Sequence, residues 1–360
     1  MKPVVLHIID TLGRGGAEKL LVNVVNALDN DFDNIVLYFS APNDLESELK
    51  NAKVICLDIP FSISKLFKIA GEIKKVAEQN NVSIIHSHSY WTNLAVRLAH
   101  IQKAKIFQSY HNAVYDTMWN KPTIKLLALF DKITYRKKIK LIAVSDYVKN
   151  ILKRKLNFRN ITVLKNFIDD PCFLQKESMP YIPGTTLKVI SVGNIKSEKN
   201  YGLVIKAFEA ELKNRNIQYD VFGGGKELEK YRNQLKEKGI DNLRFMGTTS
   251  SVYSEIIKYD LFCMTSFSEA CPLSPLEAMK AKLPILLSDI PAFKEIAENS
   301  VLYFQSGKAN DFLNKLIGIF EGSIQLDVNE NLYNDILIKY SKEKYIKKIS
   351  NIYLQKVDEN

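Results

Sequence analysis

The chain has no apolar run of the roughly 18 residues that a helical membrane span requires. Cysteine is scarce. Cys56, Cys172, Cys263 and Cys271 form no C-x-x-C spacing and no cluster with histidine, so the sequence shows neither a disulfide framework nor a metal knuckle. Scattered cysteines of this kind behave as small core residues, which points to the reducing cytosol. The opening residues, Met1 to His7, turn polar at Asp10; the stretch is too short for a secretory signal and reads as a first buried strand. The dinucleotide G-x-G-x-x-G spacing and the P-loop lysine are also missing. No recognised nucleic-acid-binding motif accompanies the positive charge, so no nucleic-acid partner is expected.

What is present is an ordinary globular composition, 46% hydrophobic and 25% charged, in 360 residues, enough for two full cores. The net charge of +10 is uneven: residues 1–165 hold 25 Lys/Arg against 14 Asp/Glu, and most of that excess lies in 97–165. Such asymmetry suits a phosphorylated ligand or an anionic surface.

Both halves alternate short Val/Ile/Leu runs with longer stretches of helical period. In the first half the runs are Val4–Ile9, Ile35–Phe39, Val54–Leu57, Ser83–His86, Lys105–Tyr110, Leu141–Ser145 and Ile161–Leu164. Helical stretches such as Ala17–Leu28, Ser64–Gln79 and Asp146–Leu156 separate several of them. The second half repeats the theme from Leu187–Val192 to Val301–Phe304. This alternation predicts an α/β protein with two doubly wound, Rossmann-like domains of parallel strands. Pro171, Pro180, Pro183 and Gly184 mark a linker over 169–186. The expected division is therefore 1–168, the linker, 187–340, and a helical tail over 341–360 that returns towards the first domain. Ligands of such sheets bind beyond the carboxyl ends of the strands, so the cleft between facing domains is the expected site.

Two segments carry chemistry. Gly13-Arg14-Gly15-Gly16-Ala17-Glu18 follows the first strand and opens a helix, where amide groups and the helix dipole favour phosphate. The same glycines also serve the geometry of a strand-to-helix turn. The second segment runs from Ser266 to Met279, after the run Leu261–Met264. It places Glu269 and Glu277 either side of seven residues, with Ser274 read as a helix cap and Pro275 in the first turn.

The E-x7-E arrangement from Glu269 to Glu277 resembles that of retaining glycosyltransferases with the GT-B fold, especially glycosyltransferase family 4. Further similar segments occur in the same order. They are Gly15-Gly16-Ala17-Glu18, His86-Ser87-His88-Ser89, Ser109-Tyr110-His111-Asn112, Ala143-Val144-Ser145, Ser191-Val192-Gly193 with Lys199, and Phe222-Gly223-Gly224-Gly225. The resemblance spans residue 4 to about 300. It implies an enzyme that moves a hexose or N-acetylhexosamine from a nucleotide diphosphate sugar to a glycan or lipid-linked acceptor, with retention of anomeric configuration. It further implies that Gly15 and Gly16 approach the donor, that His111 sits beside the transferred sugar, that Glu269 contacts that sugar and that Glu277 holds the ribose. Lys199 would neutralise the diphosphate, with Gly193, Asn194, Gly223, Gly224, Pro272, Leu273 and Ser274 completing the donor side. His86 and His88 are candidates for acceptor or sugar contact, and His7 reads as structural. No cofactor and no metal are implied, the nucleotide sugar being a substrate; no D-x-D motif accompanies the two glutamates. An epimerase or hydrolase of the same architecture, or a non-catalytic nucleotide-sugar binder, would share these features.

Departures from the family pattern are specific. Asn194 stands where an arginine is usual, with Lys196 nearby. Phe167 replaces the glycine of an N-G-I-D turn, which must then avoid positive φ or carry strain. Ala270 and Lys282 also replace glycines. The basic stretch 121–140 is expected to form a helix with Ile124, Leu127 and Ile133 inward and to dock the chain peripherally on anionic lipid at the inner membrane face.

Overall fold

The Val/Ile/Leu runs become strands whose side chains are buried on both faces, as a parallel sheet covered by helices requires. The computed structural model describes residues 2–168, 181–249 and 252–355. The chain divides into two compact units, Met1–Asp169 with Lys342–Asn360, and Asp170–Ser341.

In the first unit β1 (Val4–Ile9), β2 (Asp33–Tyr38), β3 (Lys53–Cys56), β4 (Ile84–His88), β5 (Lys105–Tyr110), β6 (Lys140–Ala143) and β7 (Ile161–Val163) form one sheet. Its order is β3-β2-β1-β4-β5-β6-β7, every pair parallel. The order reverses between β1 and β4, so their carboxyl ends open at a topological switch point. Helices α1 (Gly16–Ala27), α2 (Leu66–Gln79), α3 (Tyr90–Leu98), α4 (Val114–Thr117), α5 (Pro122–Thr134) and α6 (Asp146–Ile151) connect the strands.

The second unit is built from β8 (Leu187–Val192), β9 (Ile217–Phe222), β10 (Leu243–Gly247), β11 (Leu261–Met264), β12 (Ile285–Ser288) and β13 (Leu302–Phe304), in the order β10-β9-β8-β11-β12-β13. Its switch point lies between β8 and β11. Helices α7 (Tyr201–Ala210), α8 (Leu228–Lys238), α9 (Val252–Ile256), α10 (Ser274–Lys280), α11 (Pro291–Ala297), α12 (Ala309–Phe320) and α13 (Glu330–Lys339) complete it. Two Rossmann-like parallel sheets in succession are the GT-B fold.

The helix expected in the 341–360 tail forms over Lys342–Leu354. α13 stops at Tyr340, and α14 (Lys342–Leu354) packs in the first unit, where Tyr345, Ile349 and Tyr353 join Val5, Ile84, Phe107 and Phe167 in one apolar cluster. Phe167 is buried there, 4.9 Å from the Tyr345 ring, and its φ is not positive. The glycine of the family turn is thus exchanged for core packing rather than for strain. Lys282, by contrast, does take a left-handed conformation (φ 56), so the glycine expected there answered a backbone need and not a charge. The helix expected over Asp146–Leu156 widens into a π turn at Leu152–Leu156. The linker expected over 169–186 lies, from 169 to 180, outside the described residues.

Candidate active site

In the second unit the loops that follow β8 and β9 are laced together by backbone bonds. The amide of Gly193 donates to the Phe222 carbonyl (2.9 Å), that of Gly223 to Gly247 (2.8 Å) and that of Ile195 to Gly224 (2.7 Å). A Cβ on Gly223, at φ +150, would lie 2.0 Å from the Gly193 oxygen, so only glycine fits. A Cβ on Gly193 would press on Cε and Nζ of Lys199 at 3.3 Å. The lysine therefore lies along a wall from which side chains have been removed. Its amine donates to Glu269 Oε1 at 2.6 Å, and Ser266 Oγ donates to the same oxygen at 2.7 Å. The lysine and glutamate side chains are only 16% and 12% exposed. Two further bonds hold their loops in register: Thr265 Oγ1 to the Lys199 carbonyl (2.9 Å) and the Phe267 amide to the Glu198 carbonyl (3.0 Å). Asn194 and Lys196, in the loop between β8 and Lys199, are both exposed.

Glu277 lies in the first turn of α10, half-buried, and accepts from Tyr253 Oη at 3.3 Å. The expected cap is corrected here. Ser274 is the first helical residue, Leu273 holds the N-cap, and no side chain caps the helix. Pro272 and Leu273 lie in the segment between Glu269 and this helix. The arrangement offers a shielded amine, two carboxylates and a helix start, groups suited to a diphosphate, a sugar and a ribose diol.

In the first unit Gly15 is the N-cap of α1, and Glu18 folds back so that a Cβ on Gly15 would lie 2.1 Å from its carboxylate. That carboxylate is the far end of a flexible side chain that can move aside, so packing by itself does not require glycine at 15. A Cβ on Gly16 would meet nothing within 4 Å among the described residues, so their packing does not explain the missing side chain there. His111, just beyond β5, has its Nε2 3.2 Å from His88 Nδ1. β4 continues to His88, further than its apolar run suggests. His86 departs from its expected contact with acceptor or sugar. It is 1% exposed, and its ring nitrogens meet Tyr353 Oη at 2.6 Å and Ser109 Oγ at 2.7 Å, so it anchors α14.

Sequence reasoning missed Asp10. It follows β1 at the start of the loop that carries the glycines, accepts from Ser89 Oγ at 2.7 Å, and its buried Oδ1 has no partner among the described residues. Burial raises its pKa to about 6 despite the bond from Ser89. The only signal in the sequence is its place as the first polar residue after an apolar strand. Topology also assembles a trio the sequence does not show: His7, His86 and His88 have ring nitrogens within 4.8 Å of one another. Among the described residues His7 Nδ1 and His88 Nε2 have no partner, whereas His86 is fully engaged. Asp29, Asp31 and Asp33 do have D-x-D spacing, but they lie at the start of β2, whereas the glycine loop follows the far end of β1.

Burial lowers the His7 and His111 pKa values to about 4 and those of His86 and His88 well below the ordinary 6.5. In the unfolded chain these imidazoles take up protons below about pH 6.5. Between that value and 4 the unfolded state binds more protons, so stability falls as the pH drops through this window. Asp10 acts oppositely: its raised pKa adds stability at low pH that is lost as the pH rises through 6. One carboxyl does not offset four imidazoles. The urea midpoint at pH 5 is expected to lie clearly below that at pH 7; equal midpoints would contradict a neutral buried cluster.

Comparison with known proteins places both halves of the chain in known families. Residues 14–170 match the model of "Glycosyltransferase Family 4" and residues 177–336 that of "Glycosyl transferases group 1". The chain is 23% identical over 97% of both lengths to the O-antigen biosynthesis glycosyltransferase WclY of Escherichia coli. It is also 23% identical, over 95% of its length and 94% of the other, to an E. coli UDP-Gal:alpha-D-GlcNAc-diphosphoundecaprenol alpha-1,3-galactosyltransferase. Among solved structures, Anabaena HepE in complex with UDP and glucose superposes with a TM-score of 0.80 at 14% identity, covering 98% of this chain and all of that one.

Proposed function

Because the chain belongs to the group 1 glycosyltransferases, we propose that it transfers a hexose or N-acetylhexosamine from a nucleotide diphosphate sugar to a glycan or lipid-linked acceptor in cell-surface polysaccharide biosynthesis. Transfer proceeds in this reading with retention and without a metal ion, from the cytoplasmic side. The observation that carries it is the Lys199–Glu269 pair set in glycine-walled loops with Glu277 in the adjoining helix turn. As the sugar–phosphate bond breaks, charge develops on the leaving diphosphate, and a pre-placed amine stabilises it without solvent reorganisation. Glu269 then turns from the lysine to the sugar, while Glu277 receives the ribose hydroxyls. In the first unit we assign Gly16 and His111 to the sugar and acceptor, with His88 holding the His111 ring. The curated relatives support the substrate class, since one is named for a UDP-galactose donor and a diphosphoundecaprenol acceptor.

A thermal-shift screen with UDP, GDP, ADP and CMP sugars tests the donor class: a ligand at 100 times its Kd adds about 2.7 kcal/mol of stability. Incubating the stabilising donor with protein, first alone and then with a lipid-linked saccharide, tests transfer. Turnover that needs the acceptor and survives chelator is expected. Donor breakdown without acceptor would mark a hydrolase or epimerase, and loss of activity on chelation would direct attention to the His7, His86 and His88 trio.

A further inference from the structure

α5 is fixed to the first unit by an unusual buried face. Ile124, Ala128 and Asp131 point inward. Asp131 Oδ1 meets Arg97 Nη1 at 2.7 Å with both side chains fully buried, and Tyr110 and Tyr115 donate to Oδ2 at 3.1 and 2.6 Å. Tyr90 Oη adds a bond to the Leu127 carbonyl at 3.0 Å. The inward face expected from the sequence is therefore corrected: Ile124 is buried, Leu127 is half-buried, but Ile133 is 70% exposed. The buried ion pair sets the rotation of the helix, and apolar residues are turned outward.

Those residues are Leu126, Leu129, Phe130 and Ile133, spaced i, i+3, i+4 and i+7 and between 47% and 70% exposed. That spacing forms one stripe along a helix. Single exposed apolar residues are ordinary, but an aligned group on one helix marks an interaction surface. Lys121, Lys125 and Lys132 are exposed on the same helix or at its start, and Lys137 and Lys138 follow it. Ile63, in the 3-10 turn before α2, and Phe67, in the first turn of α2, are exposed, and α2 packs on α3, which in turn packs on α5.

We propose that this stripe inserts into the interfacial layer of an anionic membrane, with the lysines at the level of the lipid headgroups. Apolar burial supplies the hold, and the lysines select lipid of negative charge. A second copy of the chain is a poorer occupant, because a symmetric contact would set these lysines against their own counterparts. The proposal deepens the reading of a lipid-linked acceptor and rests on it for its purpose: docking would bring the first unit to an acceptor held in the bilayer.

Flotation of the full chain with vesicles of phosphatidylcholine and phosphatidylglycerol tests it without any sugar transfer, so failure here is distinct from failure of the transferase reading. The wild type should float at low salt and more weakly at high salt. Lys125→Gln should weaken binding about fivefold at low salt. Leu129→Gln with Ile133→Gln should reduce it at least tenfold at either salt concentration, with unchanged thermal unfolding because neither side chain is in the core. Wild type that does not float, or a double variant that floats equally well, would overturn the proposal. So would self-association without vesicles that the double variant abolishes, since the stripe would then cover a second copy.

Discussion

Glu269→Gln is expected to lower kcat for sugar transfer by about 10²- to 10³-fold, the usual loss when one pre-placed charged group is removed from a reacting centre. Glutamine has nearly the same shape and can still accept from Ser266, so the loop survives. What disappears is the charge that holds the Lys199 amine at 2.6 Å and, in the proposed mechanism, supports the reacting sugar. Nucleotide affinity should change little, because the ribose is assigned to Glu277 and the diphosphate to Lys199. The split between kcat and nucleotide affinity is therefore the informative readout. Stability should drop by about 1–3 kcal/mol, between the small worth of exposed ion pairs and the larger cost of breaking buried ones. An unaltered kcat would show that Glu269 only anchors Lys199.

Arg97→Met should be the most destabilising of the substitutions considered. Arg97 donates to Asp131 Oδ1, to Gln108 Oε1 and to Tyr110 Oη, each at 2.7 Å, and the ion pair is wholly buried. Removing the cation leaves Asp131 charged and without its counter-ion inside the unit, a loss of about 3–5 kcal/mol. For a unit of this size that corresponds to a fall in Tm of about 6–20 °C. Replacing both partners, Arg97→Met with Asp131→Leu, should recover much of the loss, because an apolar pair avoids the uncompensated charge. Recovery in the double variant distinguishes charge from shape. A single variant that melts with the wild type would refute the role given to this pair in fixing α5.

These two sites differ in how far the sequence reveals them. The strands were legible because runs such as Val4–Ile9 and Leu261–Met264 are buried on both faces and so read as continuous apolar segments. α3 was not legible, because Thr92, Asn93 and Arg97 are buried on it and break the apolar period. For the same reason the rotation of α5 was misread: a buried Asp131 carries no signal until Arg97 is known to face it. On the candidate site, Glu269, Glu277 and the glycine loop after β1 stood out through their spacing and place, whereas Lys199 and the glycines at 193, 223 and 224 were singled out by the family resemblance alone. Asp10 and the histidine trio did not, because they are brought together by the pairing of β1 with β4, which sets His7 opposite His86. Phe167 shows the reverse case. Its departure from glycine looked like a weakness of a turn, and the structure makes it part of the core under α14.

Calorimetric titration of UDP, or of whichever nucleoside diphosphate the donor screen selects, into wild type, Lys199→Met and Glu277→Ala tests the central claim most directly. Loss of a charged hydrogen-bonding group should weaken binding about tenfold or more in each variant, through the diphosphate in one and the ribose in the other. Wild-type affinity in both variants would mean that the nucleotide binds elsewhere and that the Lys199–Glu269–Glu277 cluster is not the donor site.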